Sequence, residues 1–96
     1  MDQMTRCTAL DLAPKGIRVN SVNPGIINTD LFIKAGMSAE ENKAYMERAR
    51  AIHPLGRPGT VEEVARVIVF LASNDASFIT AQTLAIDGGR SVACPA

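Results

Sequence analysis

The sequence predicts an α/β chain, the last βαβ unit of a doubly wound parallel sheet, and three observations carry that prediction. Two short apolar segments, about 17–23 and 83–87, are bounded by glycine or proline and read as strands. Between them lie two capping signatures, Ser38-x-x-Glu41 and Thr60-x-x-Glu63, each opening a helix. A helical connection between two strands makes them parallel, with a right-handed crossover. A parallel pair is buried on both faces, so two strands alone cannot enclose a core and a larger sheet is implied.

Each element has its own local reason. In the first helix, expected over 2–13, Met4, Cys7, Ala9, Leu10 and Leu12 fall near helical spacing. Pro14-Lys15-Gly16 ends it, because proline disfavours a helical residue before it and glycine suits a C-terminal cap. This helix opens with no lead-in, so the chain is expected to continue a longer one, and Cys7 is expected in the core. In the strand at 17–23, Ile17 and Val19 alternate with Arg18 and Asn20, and Pro24-Gly25 turns the chain. A loop follows, with a helical turn near 30–34 that Asp30 is expected to cap. The helix at 38–51 has a thin apolar set and draws on local pairs such as Lys43–Glu47, so it is weakly held. After a loop dense in proline and glycine, the helix at 60–73 carries apolar residues most of the way round. It must be buried on more than one side, which a chain this short does not supply.

Composition narrows the function classes. Ninety-six residues make one domain at most, and 47% hydrophobic content is too high for a disordered chain. Ten basic residues against ten acidic ones give no basic surface for nucleic acid. The longest uninterrupted apolar run, Val67 to Ala72, is far short of a membrane span, which takes about 18 residues. Cys7 and Cys94 are expected to be free thiols of a cytoplasmic protein, and no metal-ligand set stands out.

Ligands of open α/β sheets bind outside the carboxyl ends of the strands, which here means Pro24-Gly25 and Asp87-Gly88-Gly89. Gly25 would let a ligand approach the backbone, and the amides of Ile26 and Ile27 with the Thr29 hydroxyl could hold a carboxamide or phosphate oxygen. Simpler roles are expected elsewhere. His53 is read as a surface residue beside proline, Glu63 as a cap, and Arg18 and Arg57 as partners of carbonyls or carboxylates.

At this point the strings become specific. Ala9 to Gly25, Leu55-Gly56-Arg57-Pro58-Gly59-Thr60-Val61-Glu62-Glu63-Val64-Ala65, Phe70-Leu71-Ala72-Ser73 and Leu84-Ala85-Ile86-Asp87-Gly88-Gly89 resemble the C-terminal third of classical short-chain dehydrogenases/reductases. The resemblance covers nearly the whole chain and is nearest to reductases related to 3-oxoacyl-acyl-carrier-protein reductase. It implies that residues 1–96 are a partial Rossmann-type domain of an NAD(P)-dependent oxidoreductase acting on a carbonyl or alcohol. It further implies that Pro24, Gly25, Ile27 and Thr29 hold the nicotinamide side of NAD or NADP. Leu31 to about Arg50 would be a substrate lid, with Leu31, Phe32, Met37 and Tyr45 facing substrate. The 60–73 helix and last strand would form a subunit interface in a homo-oligomer.

Departures from the family pattern are equally plain. The glycine-rich turn, the catalytic serine and the Tyr-x-x-x-Lys motif are not in this sequence, and the one tyrosine, Tyr45, has Ala49 four residues on. No catalytic residue is therefore assigned, and the chain alone is expected to be inactive, since hydride transfer to a carbonyl needs an acid near the oxygen. A non-catalytic short form that joins full-length subunits is the competing expectation, and a stand-alone ligand-binding domain is a third. Ala81 stands where relatives carry glycine; a positive φ there would strain it by roughly 1 kcal/mol.

Overall fold

The computed structural model describes residues 2–93, and of Phe32 the backbone alone. Helix α1 (Asp2–Leu12) passes into one 3-10 turn at Ala13–Lys15, and Gly16, at φ +74°, closes it with its amide on the Ala13 carbonyl at 2.9 Å. Strand β1 (Ser21–Pro24) follows, then β2 (Ile27–Asn28), α2 (Leu31–Lys34) and α3 (Ala39–Ile52). The chain continues through β3 (Gly59–Thr60), α4 (Val61–Ala72) and β4 (Thr83–Ile86), and the last element among the described residues is a 3-10 turn at Arg90–Val92. Cys94 lies outside the described residues.

β1 and β4 pair in parallel, with Ser21 opposite Thr83 and Pro24 opposite Ile86, as the crossover argument requires. Both strands are shorter than expected. Over 17–20, polar side chains stand in for the ladder: Val19 N donates to Thr80 Oγ1, Asn20 Nδ2 to the Ile79 carbonyl, and Gln82 N to Asn20 Oδ1. Asp87 leaves the ladder at the other end, because its carboxylate accepts from the amides of Gly89 and Ser91 at 3.0 and 2.9 Å. A second parallel pair, Ile27 opposite Gly59 and Asn28 opposite Thr60, was not anticipated; two residues give no alternation to read.

The helix signals hold at the long elements. Ser38 accepts from Glu41 N at 3.1 Å, but the expected return bond from the Glu41 carboxylate is not made among the described residues. At α4 the capping box is complete: Thr60 Oγ1 accepts from Glu63 N at 3.2 Å and Glu63 Oε1 from Thr60 N at 2.9 Å. Asp30 does not cap α2. Its carboxylate pairs with Lys34 Nζ at 3.1 Å, while Thr29 Oγ1 accepts from Leu31 N at 3.0 Å.

Burial is sparse. The buried residues are Thr5, Ala9, Ile26, Ala49, His53 and Ala76, and no large side chain is fully enclosed among the described residues. Cys7 is exposed, contrary to expectation, with Gln3 Nε2 at 3.5 Å from its sulfur. The α4 stripe is open as well: Val61, Ile68, Val69 and Phe70 are 43–68% exposed, so the several-sided burial its sequence calls for is not met. The accessible surface of 6955 Å² exceeds the about 5,300 Å² of a compact chain of this mass. The radius of gyration, 16.1 Å, exceeds the about 12.5 Å expected for this length.

Arg18 ties α4 to the strand layer. Its guanidinium donates to the carbonyls of Leu71 at 2.7 Å and Ser73 at 3.2 Å, at the end of α4, and to that of Ile79, beyond it, at 3.4 Å. This is the carbonyl role expected of it.

Candidate functional site

The carboxyl ends of β1 and β4 bring together Pro24-Gly25 and Asp87-Gly88-Gly89. Gly25 N donates to the Ile86 carbonyl at 2.9 Å, carrying the ladder one residue past β1. Pro24 and Gly25 share an open cleft with Asn23, Asp87, Arg90 and Ser91. A second cleft, of about 220 Å³, lies alongside and is lined by Ile26, Ile27, His53, Arg57, Glu63 and Asp87 among others.

Gly25 is required here for a reason other than the one expected. A Cβ at this position would fall 2.8 Å from His53 Nε2 and 2.9 Å from both Cα and Cβ of Asp87. The space a side chain would take is therefore filled by the protein itself, while Pro24 and Gly25 still border the open cleft. The Ile26 amide, expected to be free for a ligand, donates to His53 Nε2 at 3.3 Å.

His53 is thus neither exposed nor incidental. The residue is 3% exposed, and Nδ1 lies 2.6 Å from the Ala49 carbonyl at the end of α3. A carbonyl can only accept and an amide N–H can only donate, so both partners require a neutral imidazole with its proton on Nδ1. One histidine beside a proline carries no periodicity; only the i−4 spacing to Ala49, natural at a helix end, was available as a signal.

Charges around the site are held in fixed pairs. Arg57 meets Glu63 through two parallel bonds of 2.8 Å, and also donates to the Pro58 carbonyl at 3.1 Å. The Arg57 hydrogen bond, followed by that from Thr60 N, holds the Glu63 carboxyl down at about 2, and Glu63 raises the Arg57 guanidinium. Asp87 is also held below its ordinary range, first by hydrogen bonds from the Ser91 side chain and amide, then by that from the Gly89 amide.

The other expected site residues separate into two groups. Ile27 lines the second cleft, and the Thr29 oxygen accepts from Leu31 N while its O–H remains a donor. The proposed lid residues are elsewhere. Leu31 is exposed on α2, and Met37 lines a shallow cleft against α3 with Glu41, Ala44 and Arg48. Tyr45 is half-buried with the Arg48 guanidinium 5.7 Å above its ring, and the Phe32 side chain lies outside the description. None of the described lid side chains lines either cleft at the strand ends.

The carboxyl ends of a parallel pair, here Pro24-Gly25 beside Asp87-Gly88-Gly89, are where open α/β sheets in general bind ligands. Residues 1–91 match the family described as enoyl-(acyl carrier protein) reductase, and the chain belongs to this family of short-chain dehydrogenases/reductases. It is 47% identical over 85 residues to cyclohexanol dehydrogenase of Acinetobacter sp. (strain SE19), covering 88% of this chain and 30% of that protein. It is 46% identical over 86 residues to 3-oxoacyl-acyl-carrier-protein reductase of Thermotoga maritima, covering 90% of this chain and 32% of that one. The solved aldohexose dehydrogenase of Thermoplasma acidophilum superposes with a TM-score of 0.86 at 38% identity, over 99% of this chain and 39% of that one. The chain thus spans about a third of the length of these relatives.

Proposed function

We propose that residues 1–96 form the nicotinamide-side portion of an NAD(P)-dependent oxidoreductase that interconverts a carbonyl compound and an alcohol. The observation that carries this reading is Pro24-Gly25 lying beside Asp87-Gly88-Gly89 at the carboxyl ends of a parallel pair. The segment corresponds to the carboxyl-terminal third of such an enzyme, a reading supported by the resemblance of its strings at 55–65, 70–73 and 84–89 to that third.

The residues present fit a nicotinamide in part. Pro24 and Gly25 border an open cleft, and the Thr29 O–H can donate to a phosphate or carboxamide oxygen. Ile27 would contribute backbone, whereas the Ile26 amide is already engaged. When bound, the nicotinamide supplies or accepts the hydride. The chain's own part is to orient it and exclude water, with α2 and α3 moving as a lid. The acid that protonates the carbonyl oxygen comes from a segment bearing Tyr-x-x-x-Lys. NAD and NADP both remain readings, because the residues that select the ribose are not in this sequence.

The exposed α4 stripe favours a further contact, with copies of the chain or full-length subunits docking on α4 and β4. The surface excess over a compact chain is about 1,600 Å², enough for two faces of about 800 Å² each. We place the protein in the cytoplasm, or in an organelle matrix if a targeting segment precedes it.

Two measurements test this function. Titration of the full-length protein that carries this segment with NADH and NADPH, read by nicotinamide fluorescence, should show saturable binding that Gly25→Val abolishes. Intact mass of the endogenous protein, captured through residues 90–96, should exceed that of the 96-residue chain. A species of the short mass, free of any partner subunit, would sink the portion-of-an-enzyme reading.

A further inference from the structure

We infer that His53 is a positioning residue, which sets the Pro24-Gly25-Ile26 segment and couples it to the lid helix α3. The inference rests on the cofactor reading above and concerns how that segment is held.

Three observations support it. The ring bridges two segments 27 residues apart, with Nε2 accepting from Ile26 N at 3.3 Å and Nδ1–H donating to the Ala49 carbonyl at 2.6 Å. The residue is almost fully buried, so losing either partner leaves a polar atom without water to replace it. Its Nε2 edge also fills the position a Gly25 side chain would occupy, 2.8 Å from that Cβ. The segment therefore cannot shift toward β4 without meeting the ring, and the ring cannot move without releasing Ala49. A displacement of the last turn of α3 is transmitted through one rigid imidazole to the backbone that borders the cofactor cleft. The remaining charged groups of the His53 cleft do not compete for the ring: Arg57 and Glu63 pair with each other, and the Asp87 carboxylate holds the Gly89 and Ser91 amides.

The test uses the purified full-length protein that carries this segment, with its His53→Gln and His53→Leu variants. A glutamine carbonyl can reach for the Ile26 N–H, whereas leucine fills the volume without an acceptor. Long-range proton–nitrogen correlation on the wild type at pH 8 should show the Nδ1–H tautomer. The Ile26 amide resonance should move in His53→Leu and return in His53→Gln. The Kd for NADH should rise about 5–10-fold in the leucine variant, the effect of one lost hydrogen bond, and recover to within about twofold in the glutamine variant. Melting temperatures, taken in parallel, separate this from general destabilisation, which would not be rescued by glutamine alone. An Nε2–H tautomer, or an NADH affinity unchanged in His53→Leu, overturns the inference. A wild type that shows the Nδ1–H tautomer yet binds neither NADH nor NADPH overturns the cofactor reading instead.

Discussion

Replacing Ala81 with glycine should make the protein more stable. Ala81 is the one non-glycine residue at positive φ among the described residues, at +62°. The turn around it is over-determined. Ala81 N donates to the Val19 carbonyl at 2.9 Å, Val19 N to Thr80 Oγ1 at 3.1 Å, and Gln82 N to Asn20 Oδ1 at 3.1 Å. These bonds hold the entry to β4 and impose the left-handed conformation on whatever residue stands there. For an L residue that conformation costs about 1–2 kcal/mol, from the Cβ against the following carbonyl oxygen. Glycine removes that cost but loosens the unfolded chain, taking back about 0.4–1 kcal/mol. The net expectation is a gain of about 0.5–1 kcal/mol, or about 2–8 °C in melting temperature. Urea denaturation and differential scanning calorimetry would measure it, with Ala81→Val as the opposite control, expected to lose stability because branching at Cβ worsens the clash. An Ala81→Gly variant no more stable than the wild type, or a valine variant unharmed, would refute the strain argument.

Further predictions follow from the same contacts. Gly25→Ala should cost about 1–3 kcal/mol, since its Cβ meets both a ring fixed at two nitrogens and the Asp87 backbone; thermal melts would check it. Arg18→Met keeps much of the stem but abandons the carbonyls of Leu71, Ser73 and Ile79, and should lower unfolding free energy by about 1.5–3 kcal/mol in urea. Glu63 gives a pH signature. Its folded carboxyl sits at about 2 against 4.5 ordinarily, so its contribution is present above pH 4.5 and is lost as pH falls toward 2. The Glu63→Gln variant should show a flatter loss of stability over that window, and an unchanged slope would dismiss the Arg57–Glu63 pair as a factor.

How far the site was legible depends on the range of the interaction involved. The Thr60–Glu63 box is written within a few residues, so capping chemistry reveals it, whereas the sharp turn expected at Pro24-Gly25 is not made there: Pro24 ends β1 and Gly25 N continues its ladder to the Ile86 carbonyl. The positive φ of Ala81 was readable from the family pattern, although its hydrogen-bonded frame was not. His53 shows the opposite case. The i−4 spacing to Ala49 is the one local signal, and it does not separate a surface histidine from one whose ring is wedged between α3 and the β1–β2 segment, because the partner amide is 27 residues away. The lid residues fared similarly: Leu31, Met37 and Tyr45 fall in one stretch of sequence, but their side chains do not converge on the strand ends.

By itself, then, the sequence determined the long helices, the parallel crossover, the Thr60–Glu63 cap and the edge where Pro24-Gly25 meets Asp87-Gly88-Gly89, since these follow from backbone sterics and side chains within a turn or two. Tertiary structure alone decided which backbone amides remain available at that edge. Pro24, Gly25, Ile26 and Asp87 compete for the same few ångströms with His53, and only the packing of three distant segments shows that the ring takes the space and the Ile26 amide with it.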